Sequence, residues 1–515
     1  MSDKSPMKSN RAQTVSGLGR QASFFLLGNV FTLLIGLPLQ IYVARMLGTD
    51  NLGVFSLIEG GVGLVAGLIA FGLAPTLVKF IPAHLERGEH ACIRKLVGHG
   101  ALILLAAGSI AYALMLLVMP LATQRWPELA DHQTAVIAMG LLIPLSLIAF
   151  YLQQGLRGFQ EIRYMVLGSS FMQLTIKAVL AVLLLAMGFH LMGYVWAVVA
   201  SALCACAWMG LGLWRKVSAM PKSADKDCSE SKTAWRDYAM VMYNGSLLGI
   251  GGAYLDRFLL GVFIGAAPVG VLVVVKQLQQ MPAIFLTMFL AVASPMFSAA
   301  HARDDARERQ HIYHLTTDWV VRLSAPLFIF FFLFAEPLLN LYGGQFADEG
   351  RYALWILLSG QIVNLATGPV GNLLNMCGME KLMLRLSMYQ TVISIVGFVM
   401  LVPCFGLIGA AIVIAVSTIF QNLMALLLAK RTLGLIWADP RYLRWLAPLA
   451  ASLAAGIGMA MLGPSSPSAT FLALYLVILY GIFHGVSLLQ GLHEDDRELL
   501  RHLRAKLGVA KGSVA

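Results

Sequence analysis

Charged residues are scarce in this chain. Asp, Glu, Lys and Arg make up 12% of its 515 residues, against about 25% in ordinary soluble domains. Hydrophobic residues make up 58%, and the mean hydropathy is +0.76. A chain so poor in charge cannot cover several soluble domains with polar side chains. The composition therefore excludes a soluble multidomain protein and indicates one that crosses a membrane many times.

The apolar segments also lack the period-two alternation of membrane β-barrel strands. Only helices and closed barrels satisfy every backbone hydrogen-bonding group in lipid, so an all-α protein is expected. Apolar segments of at least about 18 residues mark membrane-spanning helices. Fourteen spans are predicted, at 22–43, 52–78, 96–121, 134–156, 165–188, 191–214, 238–263, 270–300, 318–342, 351–376, 383–404, 407–429, 441–462 and 469–492.

The positive charges are distributed unevenly between the two sides of the predicted membrane. With the N-terminus in the cytoplasm, 29 of the 37 Lys and Arg residues fall in the tails and in every second loop. Three fall on the opposite side, namely Arg45, Arg125 and Arg351, and five lie in or at the ends of spans. This asymmetry follows the positive-inside rule and predicts that both termini are cytoplasmic. The net charge of +11 thus indicates topology, and no nucleic-acid partner is expected.

Cysteine is also rare, with six residues and no CxxC motif. No two cysteines form a plausible pair on the outer side, so we expect no disulfide, no metal site and no cofactor. The first 21 residues are polar and basic, and we expect a cytoplasmic tail without regular structure. The span that follows lacks a small-residue cleavage site, which predicts a retained helix rather than a signal peptide.

The chain does contain a repeated plan. Residues 40–90 hold two apolar segments joined by a short turn and followed by mixed charges, and the same plan returns about 217 residues later. At this spacing Gly48 and Gly53 fall on Gly265 and Gly270. Two copies of one unit are therefore predicted.

Each copy holds six spans, so both copies begin on the same side and are parallel. The predicted organisation is a cytoplasmic tail at 1–21, an N-terminal lobe at 22–214, a cytoplasmic linker at 215–237, a C-terminal lobe at 238–430, an extra two-helix hairpin at 441–492 and a cytoplasmic tail at 493–515.

Several spans carry ionisable side chains, which cost several kcal/mol in lipid unless they face a partner or water. Glu59 and Asp256 are candidates for coupling or gating. Candidate cations for an anionic substrate are Arg257, Lys276, Lys177 and Arg45. Two alternatives stay open: Asp256 and Arg257 could form a local pair, and Lys177 could extend its ammonium group to the membrane surface.

Amide side chains recur at helical spacing on other spans, most densely along the tenth. We expect these faces to line a wet cavity that binds polar substrate groups, although hydrogen bonding between helices is an alternative. The candidate substrate-binding amides are Asn29, Gln173, Gln279, Gln280, Gln361, Asn364 and Asn372.

Glu59 and Lys276 occupy equivalent positions in the two copies. One hypothesis is that they face each other across the lobe interface and help to set an open–closed equilibrium. The alternative is that each is satisfied within its own lobe.

Four segments of the sequence carry a family resemblance: LGTDNLGVFSL, the following FGLAPTLVKFIPAH, DRFLLGVFIG with VGVLVVVKQLQQ, and LRGFQEIRYM. Together with the two six-span copies they resemble the polysaccharide-transporter branch, which includes O-antigen flippases, of the multidrug/oligosaccharidyl-lipid/polysaccharide exporter superfamily. The resemblance covers about residues 20–430. It implies two lobes that form a V around a cavity open alternately to each side of the bacterial inner membrane.

The resemblance also implies a substrate. It is an undecaprenyl-diphosphate-linked oligosaccharide, flipped to the outer leaflet for O-antigen, capsule or exopolysaccharide synthesis. Membrane lipids are expected partners, with a polysaccharide polymerase and export machinery as further candidates. Many members of the family stop at twelve spans, so the final hairpin is a departure from the pattern.

Two other functions are weighed against this one. A multidrug or cation antiporter of the same superfamily would favour a cavity dominated by carboxylates, which Lys177, Arg257 and Lys276 disfavour. A membrane glycan polymerase or ligase would need a large outer loop with catalytic groups. The longest predicted outer loop, about residues 122–133, is short and has no set of acid, base and nucleophile. A transporter is therefore expected, and not an enzyme.

Overall fold

The computed structural model describes residues 5–125, 128–221, 228–464, 466–491 and 496–497. It is 88% helix and has no strand in these described ranges, so the all-α prediction is confirmed. By compactness the chain divides into a first unit, residues 1–270, and a second unit, residues 271–515.

The helices of the first unit lie at Ser5–Leu68 (α1), Leu73–Glu86 (α2), His90–Arg125 (α3), Glu128–Asp131 (α4), Gln133–Gly140 (α5), Leu142–Gly158 (α6), Ile162–Val166 (α7), Gln173–Ala186 (α8), His190–Ser218 (α9) and Ser229–Ile264 (α10). A π-helical turn, Leu167–Met172, joins α7 to α8.

The helices that follow lie at Ala266–Gln280 (α11), Ala283–Ala302 (α12), Ala306–Leu333 (α13), Ala335–Asn340 (α14), Gly350–Ala366 (α15), Val370–Met376 (α16), Glu380–Leu433 (α17), Leu446–Leu462 (α18) and Ala469–Leu489 (α19). Short 3₁₀ helices lie at Gly344–Phe346 and Pro440–Trp445.

Many of these helices could cross a membrane. Among the described residues, ten are long and apolar enough, or eleven if α15 and α16, which are bent by 44°, form one span. Two of the ten, α1 and α17, contain a break at Gly48 and at Gly406, and each covers two of the predicted spans. The chain is a multi-pass membrane protein, and the count of fourteen spans remains a prediction.

The N-terminal tail differs from expectation because α1 begins at Ser5. The absence of regular structure predicted for residues 1–21 is therefore wrong from residue 5 onward. A helix that is already formed in lipid extends outward without a second nucleation step, and Ala, Lys, Arg and Gln in this stretch are good helix formers. Of the predicted C-terminal tail, only residues 496 and 497 lie within the described part.

The turn of the sequence repeat has the same backbone conformation in both copies. Gly48 has φ 73° and ψ −177°, and Gly265 has φ 107° and ψ −173°. These positive φ values favour glycine because it has no Cβ. The match supports the repeat that the spacing of these glycines predicts.

The second pair of repeated glycines permits close approach of backbones at the same turns. A Cβ on Gly53 would lie 1.8 Å from the carbonyl oxygen of Ala266, and one on Gly270 would lie 2.2 Å from that of Thr49. Both distances are far below van der Waals contact. The repeated glycines therefore allow a mutual contact that no larger residue permits without movement of the backbone.

Helix α10 belongs to the first compact unit because it packs against α1 and α2. A Cβ on Gly63 would lie 2.5 Å from the Tyr254 ring, and one on Gly261 would lie 2.2 Å from Leu57. Small residues bring the two helices together, as in membrane helix pairs generally. The compact units thus divide after α10, whereas the sequence repeat places the boundary in the linker at 215–237.

One cysteine prediction is wrong, because Cys92 and Cys228 form a disulfide with their Cα atoms 5.9 Å apart. Cys92 lies in the first turn of α3, and Cys228 directly precedes α10. Both side chains are buried in a cluster with Leu77, Ile81 and Trp235. The sequence separation of 136 residues hides this proximity, because it depends on how α2, α3 and α10 pack.

The final hairpin lies within the second unit and packs against α13. Helices α18 and α19 contact each other and α13. The ring centroids of Phe334 and Tyr475 lie 5.2 Å apart. The Tyr480 hydroxyl donates a hydrogen bond to the Leu323 carbonyl oxygen at 2.8 Å. An aromatic contact just after α13 and a hydrogen bond from a hairpin side chain to the α13 backbone therefore hold the hairpin in place.

Candidate functional site

Helices α1 and α10 of the first unit are joined by an ion pair. Nη1 of Arg257 lies 3.1 Å from Oε2 of Glu59. The side chain of Arg257 is 22% exposed and that of Glu59 is 46% exposed. A guanidinium and a carboxylate within an apolar span stabilise each other, since either group alone is costly there. The pair lies open enough for another anion to reach it.

Asp256 lies next to Arg257 on α10, but it contacts the backbone of Arg257. It is buried, and its Oδ1 accepts a hydrogen bond from the backbone N–H of Arg257 at 2.8 Å. Adjacent side chains on a helix point about 100° apart. The Arg257 guanidinium therefore reaches α1 rather than the carboxylate beside it.

Two more helices bring polar groups to Glu59. Its carboxylate interacts electrostatically with Lys177 of α8 and with Tyr194 of α9. The Tyr194 ring packs against Phe55, one helical turn before Glu59, at a centroid distance of 4.6 Å. We name the set of Glu59, Lys177, Tyr194, Asp256 and Arg257 the charged cluster. It holds two cations and two carboxylates.

The turn before α8 is irregular. The π-helical turn at Leu167–Met172 ends where α8 begins, at the half-buried Gln173. Such turns occur frequently at functional sites, because the extra residue changes the directions of the side chains that follow. Gln173 and Lys177 lie one turn apart on α8, so the π-helical turn sets the face on which both project.

Two other predicted site residues lie on α1. Arg45 is exposed and lies before the break at Gly48, whereas Glu59 lies after it. The side chain of Asn29 lies outside the described residues.

The second unit brings together amides rather than charges. Gln279 of α11 donates from Nε2 to Oε1 of Gln361 on α15 at 2.7 Å. Both residues are buried, at 8% and 4% exposure. Asn364, one turn further along α15, donates to the same oxygen at 3.5 Å. This is a buried hydrogen-bonded set of three predicted residues.

The polar track continues past the break between α15 and α16. Asn372 of α16 accepts a hydrogen bond from the Ser294 hydroxyl at 3.0 Å. At the break, the Thr367 carbonyl oxygen accepts a hydrogen bond from the Tyr313 hydroxyl at 2.8 Å. Gly368 has φ 63°. Broken helices of this kind line substrate sites in many transporters, because their polar backbone is tolerated where it is buried in protein or faces a cavity.

Lys276 and Gln280 lie one helical turn apart on α11, and Gln280 is exposed whereas Lys276 is half-buried. The hypothesis that Glu59 faces Lys276 stays a prediction. Within the first unit, Glu59 has Arg257 as a partner.

Sequence reasoning missed several polar partners of the predicted residues. Tyr194 and Ser294 lie in largely apolar stretches, whereas Tyr313 lies in the polar segment that precedes the predicted span 318–342, so no spacing pattern marks them. For Tyr194 and Ser294 the only signal was the presence of a polar group within a predicted span. Within the described part of the chain, no group of three or more His, Cys, Asp or Glu side chains is placed to hold a metal ion.

Comparisons with known proteins agree with this architecture. Residues 18–301 match the family described as "Polysaccharide biosynthesis protein". The probable low-salt glycan biosynthesis flippase Agl15 of Haloferax volcanii is 24% identical over 414 residues, which cover 78% of this chain and 81% of that protein.

Among solved structures, an inward-facing multidrug resistance MATE family transporter of the MOP superfamily has a TM-score of 0.60 at 16% identity. The superposition covers 78% of this chain and 94% of the transporter chain. A MOP superfamily transporter from Pyrococcus furiosus has a TM-score of 0.58 at 14% identity, with 81% and 95% covered. At these identities the likeness concerns the fold.

Proposed function

Because this chain belongs to the polysaccharide biosynthesis protein family, we propose that it flips undecaprenyl-diphosphate-linked oligosaccharide units across the cytoplasmic membrane by alternating access. The relative from Haloferax volcanii that is named a glycan biosynthesis flippase supports this assignment over most of the chain. The product serves the assembly of a surface polysaccharide such as O-antigen, capsule or exopolysaccharide. The protein is a transporter and carries out no covalent chemistry.

The observation that carries the proposal is the partly open ion pair of Glu59 and Arg257 within apolar helices. A diphosphate that leaves water for a protein cavity loses hydration and must regain that free energy from fixed cations. Guanidinium groups suit phosphate because they donate two parallel hydrogen bonds. Arg257 supplies such a group within the span, and Lys177 supplies a second cation in the same cluster.

The balance of charge in the cluster suggests how substrate binding is coupled to a change in the protein. The Arg257 guanidinium already pairs with Glu59, so an incoming diphosphate competes with Glu59 for Arg257. Binding then frees the Glu59 carboxylate and breaks a link between α1 and α10. This exchange of anions gives Glu59 the coupling or gating role, because the freed carboxylate changes the electrostatic free energy of the two helices. Asp256, next to Arg257 on α10, is a further candidate for that role.

The amide set of the second unit supplies partners for the sugar. Gln279, Gln361, Asn364 and Asn372 offer both donors and acceptors, which match hydroxyl groups that are themselves donors and acceptors. Lys276 and Gln280 on α11, with Arg45 and Gln173 of the first unit, are further candidate contacts. We propose that the protein lies in the bacterial inner membrane with both termini in the cytoplasm. Its proposed partners are membrane lipids and a polysaccharide polymerase.

The test is a deletion strain complemented with variants, in which lipid-linked glycans and surface polysaccharide are measured. Arg257→Ala with Lys276→Ala should cause lipid-linked glycan to accumulate on the cytoplasmic side while the protein stays abundant in the membrane. Arg303→Ala is the matched control, because this arginine is exposed and pairs with Glu308 on the surface. Full export by the double variant would place the diphosphate elsewhere. Unchanged glycans with lost efflux of cationic dyes would instead favour an antiporter.

A further inference from the structure

Charged and aromatic side chains meet at the start of α15 in the second unit. Nη1 of Arg351 donates to Oε2 of Glu336 at 2.7 Å, and Nη2 donates to the Tyr352 hydroxyl oxygen at 2.8 Å. The guanidinium carbon also lies 4.6 Å from the centroid of the Tyr352 ring. The Trp355 ring packs against Tyr352 at a centroid distance of 5.7 Å, with 89° between the ring planes. We name Glu336, Arg351, Tyr352 and Trp355 the aromatic corner.

Both rings of the aromatic corner are fixed by their polar groups, yet both are exposed. The Trp355 indole N–H donates to the backbone carbonyl oxygen of Phe332 at 2.9 Å, and Arg351 holds the hydroxyl end of Tyr352. The exposed fraction is 45% for Tyr352 and 38% for Trp355. Rigid aromatic rings offer a large contact area and lose little conformational entropy when a ligand binds. The corner is therefore prepared for a ligand with a flat apolar face.

A tryptophan of the first unit provides a comparison. Trp196 lies in the second turn of α9, as Trp355 does in α15, and both helices begin on the side that is predicted to be external. Trp196 is 48% exposed, and its side chain has no hydrogen bond or ring contact within the described ranges. Tryptophan is enriched at membrane surfaces as an anchor. Trp196 fits that role, whereas Trp355 has a fixed indole and charged neighbours besides.

Hydrogen-bonding groups lie beside the exposed rings. The side chain of Glu336 is 55% exposed. Arg351 contacts its Oε2, and in the described part of the chain Oε1 has no hydrogen-bond partner, so it can accept from a ligand. The Tyr352 oxygen accepts from Arg351, which leaves its own O–H group able to donate. The corner thus combines an apolar surface with both an acceptor and a donor.

These groups match the two kinds of surface on a sugar. A pyranose ring has flat C–H faces and a rim of hydroxyl groups that donate and accept hydrogen bonds, and binding sites pair aromatic walls with a few placed polar groups. We propose that the aromatic corner is a carbohydrate-binding site. A pyranose ring stacks on Trp355, and its hydroxyl groups bind Glu336 and Tyr352. At the predicted external end of the second unit, the site receives the oligosaccharide of a flipped unit, a role that rests on the proposed function.

The first measurement uses the full-length protein in lipid nanodiscs, so that no glycoside detergent competes. Saturation transfer from the protein to methyl β-D-glucopyranoside is followed by NMR. Mannitol is the matched probe, because this open-chain polyol has similar hydroxyl groups but no rigid flat face. The glucoside should receive saturation at its axial ring protons, and mannitol should receive little. Equal transfer to the two probes would overturn the stacking proposal.

The second measurement locates the site with variants. Trp355→Leu keeps an apolar side chain for contact with lipid but removes the ring, and it should weaken glucoside binding about two- to tenfold, as expected for a lost aromatic contact. Trp355→Phe restores a ring and should recover part of the loss. Trp196→Leu is the matched control and should bind as the unaltered protein does. Undiminished binding by a folded Trp355→Leu variant, or an equal loss in Trp196→Leu, would contradict the assignment.

A third measurement separates this site from the proposed diphosphate site. Undecaprenyl diphosphate carries no sugar, so Trp355→Leu and the unaltered protein should bind it equally. Glycan export by the Trp355→Leu variant in cells should fall. If the unaltered protein binds undecaprenyl diphosphate and no glucoside, the carbohydrate site is wrong while the proposed flippase function stands. Weakened binding of undecaprenyl diphosphate by Trp355→Leu would also contradict a site that recognises sugar alone.

Discussion

Glu59 and Arg257 form an ion pair at 3.1 Å that joins α1 to α10 across 198 residues of sequence. Each residue was identifiable from the sequence as a charge within a span, but their pairing was not. The repeat pointed instead to Lys276 as the partner of Glu59, since these positions are equivalent. The pairing follows from the close packing of α1 on α10, where Gly63 and Gly261 allow contact.

If a diphosphate competes with Glu59 for Arg257, then removal of the Glu59 charge should strengthen substrate binding and impair transport. Glu59→Gln should bind undecaprenyl diphosphate about two- to fivefold more tightly, because a partly exposed ion pair is worth about 1 kcal/mol or less. Arg257→Ala should bind it more weakly. Binding to the purified protein is the measurement. Glu336→Gln, which removes a surface partner of Arg351, is the control.

The opposite result has a clear meaning. Weaker binding by Glu59→Gln would show that this carboxylate holds Arg257 in place for the substrate rather than competing with it. Tighter binding with normal export would remove Glu59 from the gating mechanism.

Variants of the buried pair Gln279 and Gln361 can distinguish a role in protein stability from a role in substrate recognition. Gln361→Leu leaves the Gln279 amide buried without its partner, which should cost about 1–3 kcal/mol of unfolding free energy. The double variant Gln279→Leu/Gln361→Leu removes both polar groups and should recover most of that loss. Thermal unfolding in detergent measures the stability. If these amides bind sugar, export should stay impaired in the double variant, whereas restored export would assign the pair a structural role.

The sequence was sufficient where composition or spacing constrains the answer. Helices, their approximate positions and the repeat follow from long apolar segments and from the common offset of Gly48 and Gly53. Contacts between distant segments were not predictable. The bond between Cys92 and Cys228, like the pairing of Glu59 with Arg257, depends on which helices pack together, and hydropathy carries no information on this.

The paired glycines allow a test with a control on the same helix. Gly53→Ala would place a methyl group 1.8 Å from the Ala266 carbonyl oxygen and should destabilise the protein by about 1–3 kcal/mol. A Cβ on Gly60, also on α1, meets nothing within 4 Å, so Gly60→Ala should be neutral or stabilising by about 1 kcal/mol. Equal unfolding temperatures of the two variants would contradict the close approach at Gly53.

The position of Cys92 and Cys228 predicts the redox state of these cysteines in cells. Cys92 and Cys228 lie at the end of the helices that the distribution of Lys and Arg places in the cytoplasm, where thiols are normally kept reduced. We therefore expect both cysteines to be thiols in growing cells and to form the disulfide on oxidation of the isolated protein. Maleimide labelling after rapid acid quenching, compared with a Cys92→Ser variant, measures this. A bond that is already complete in cells would indicate an oxidising compartment.

The membrane topology distinguishes reduced thiols in the cytoplasm from a disulfide in an oxidising compartment. The distribution of basic residues predicts that an activity reporter fused after residue 226, next to Cys228, is cytoplasmic, and that one fused near residue 128 is external. If the reporters agree and the thiols are reduced, the close pair is a site of oxidation rather than a structural bond. The reverse activities of the two reporters would overturn the predicted topology, and the disulfide would then be the ordinary product of an external compartment.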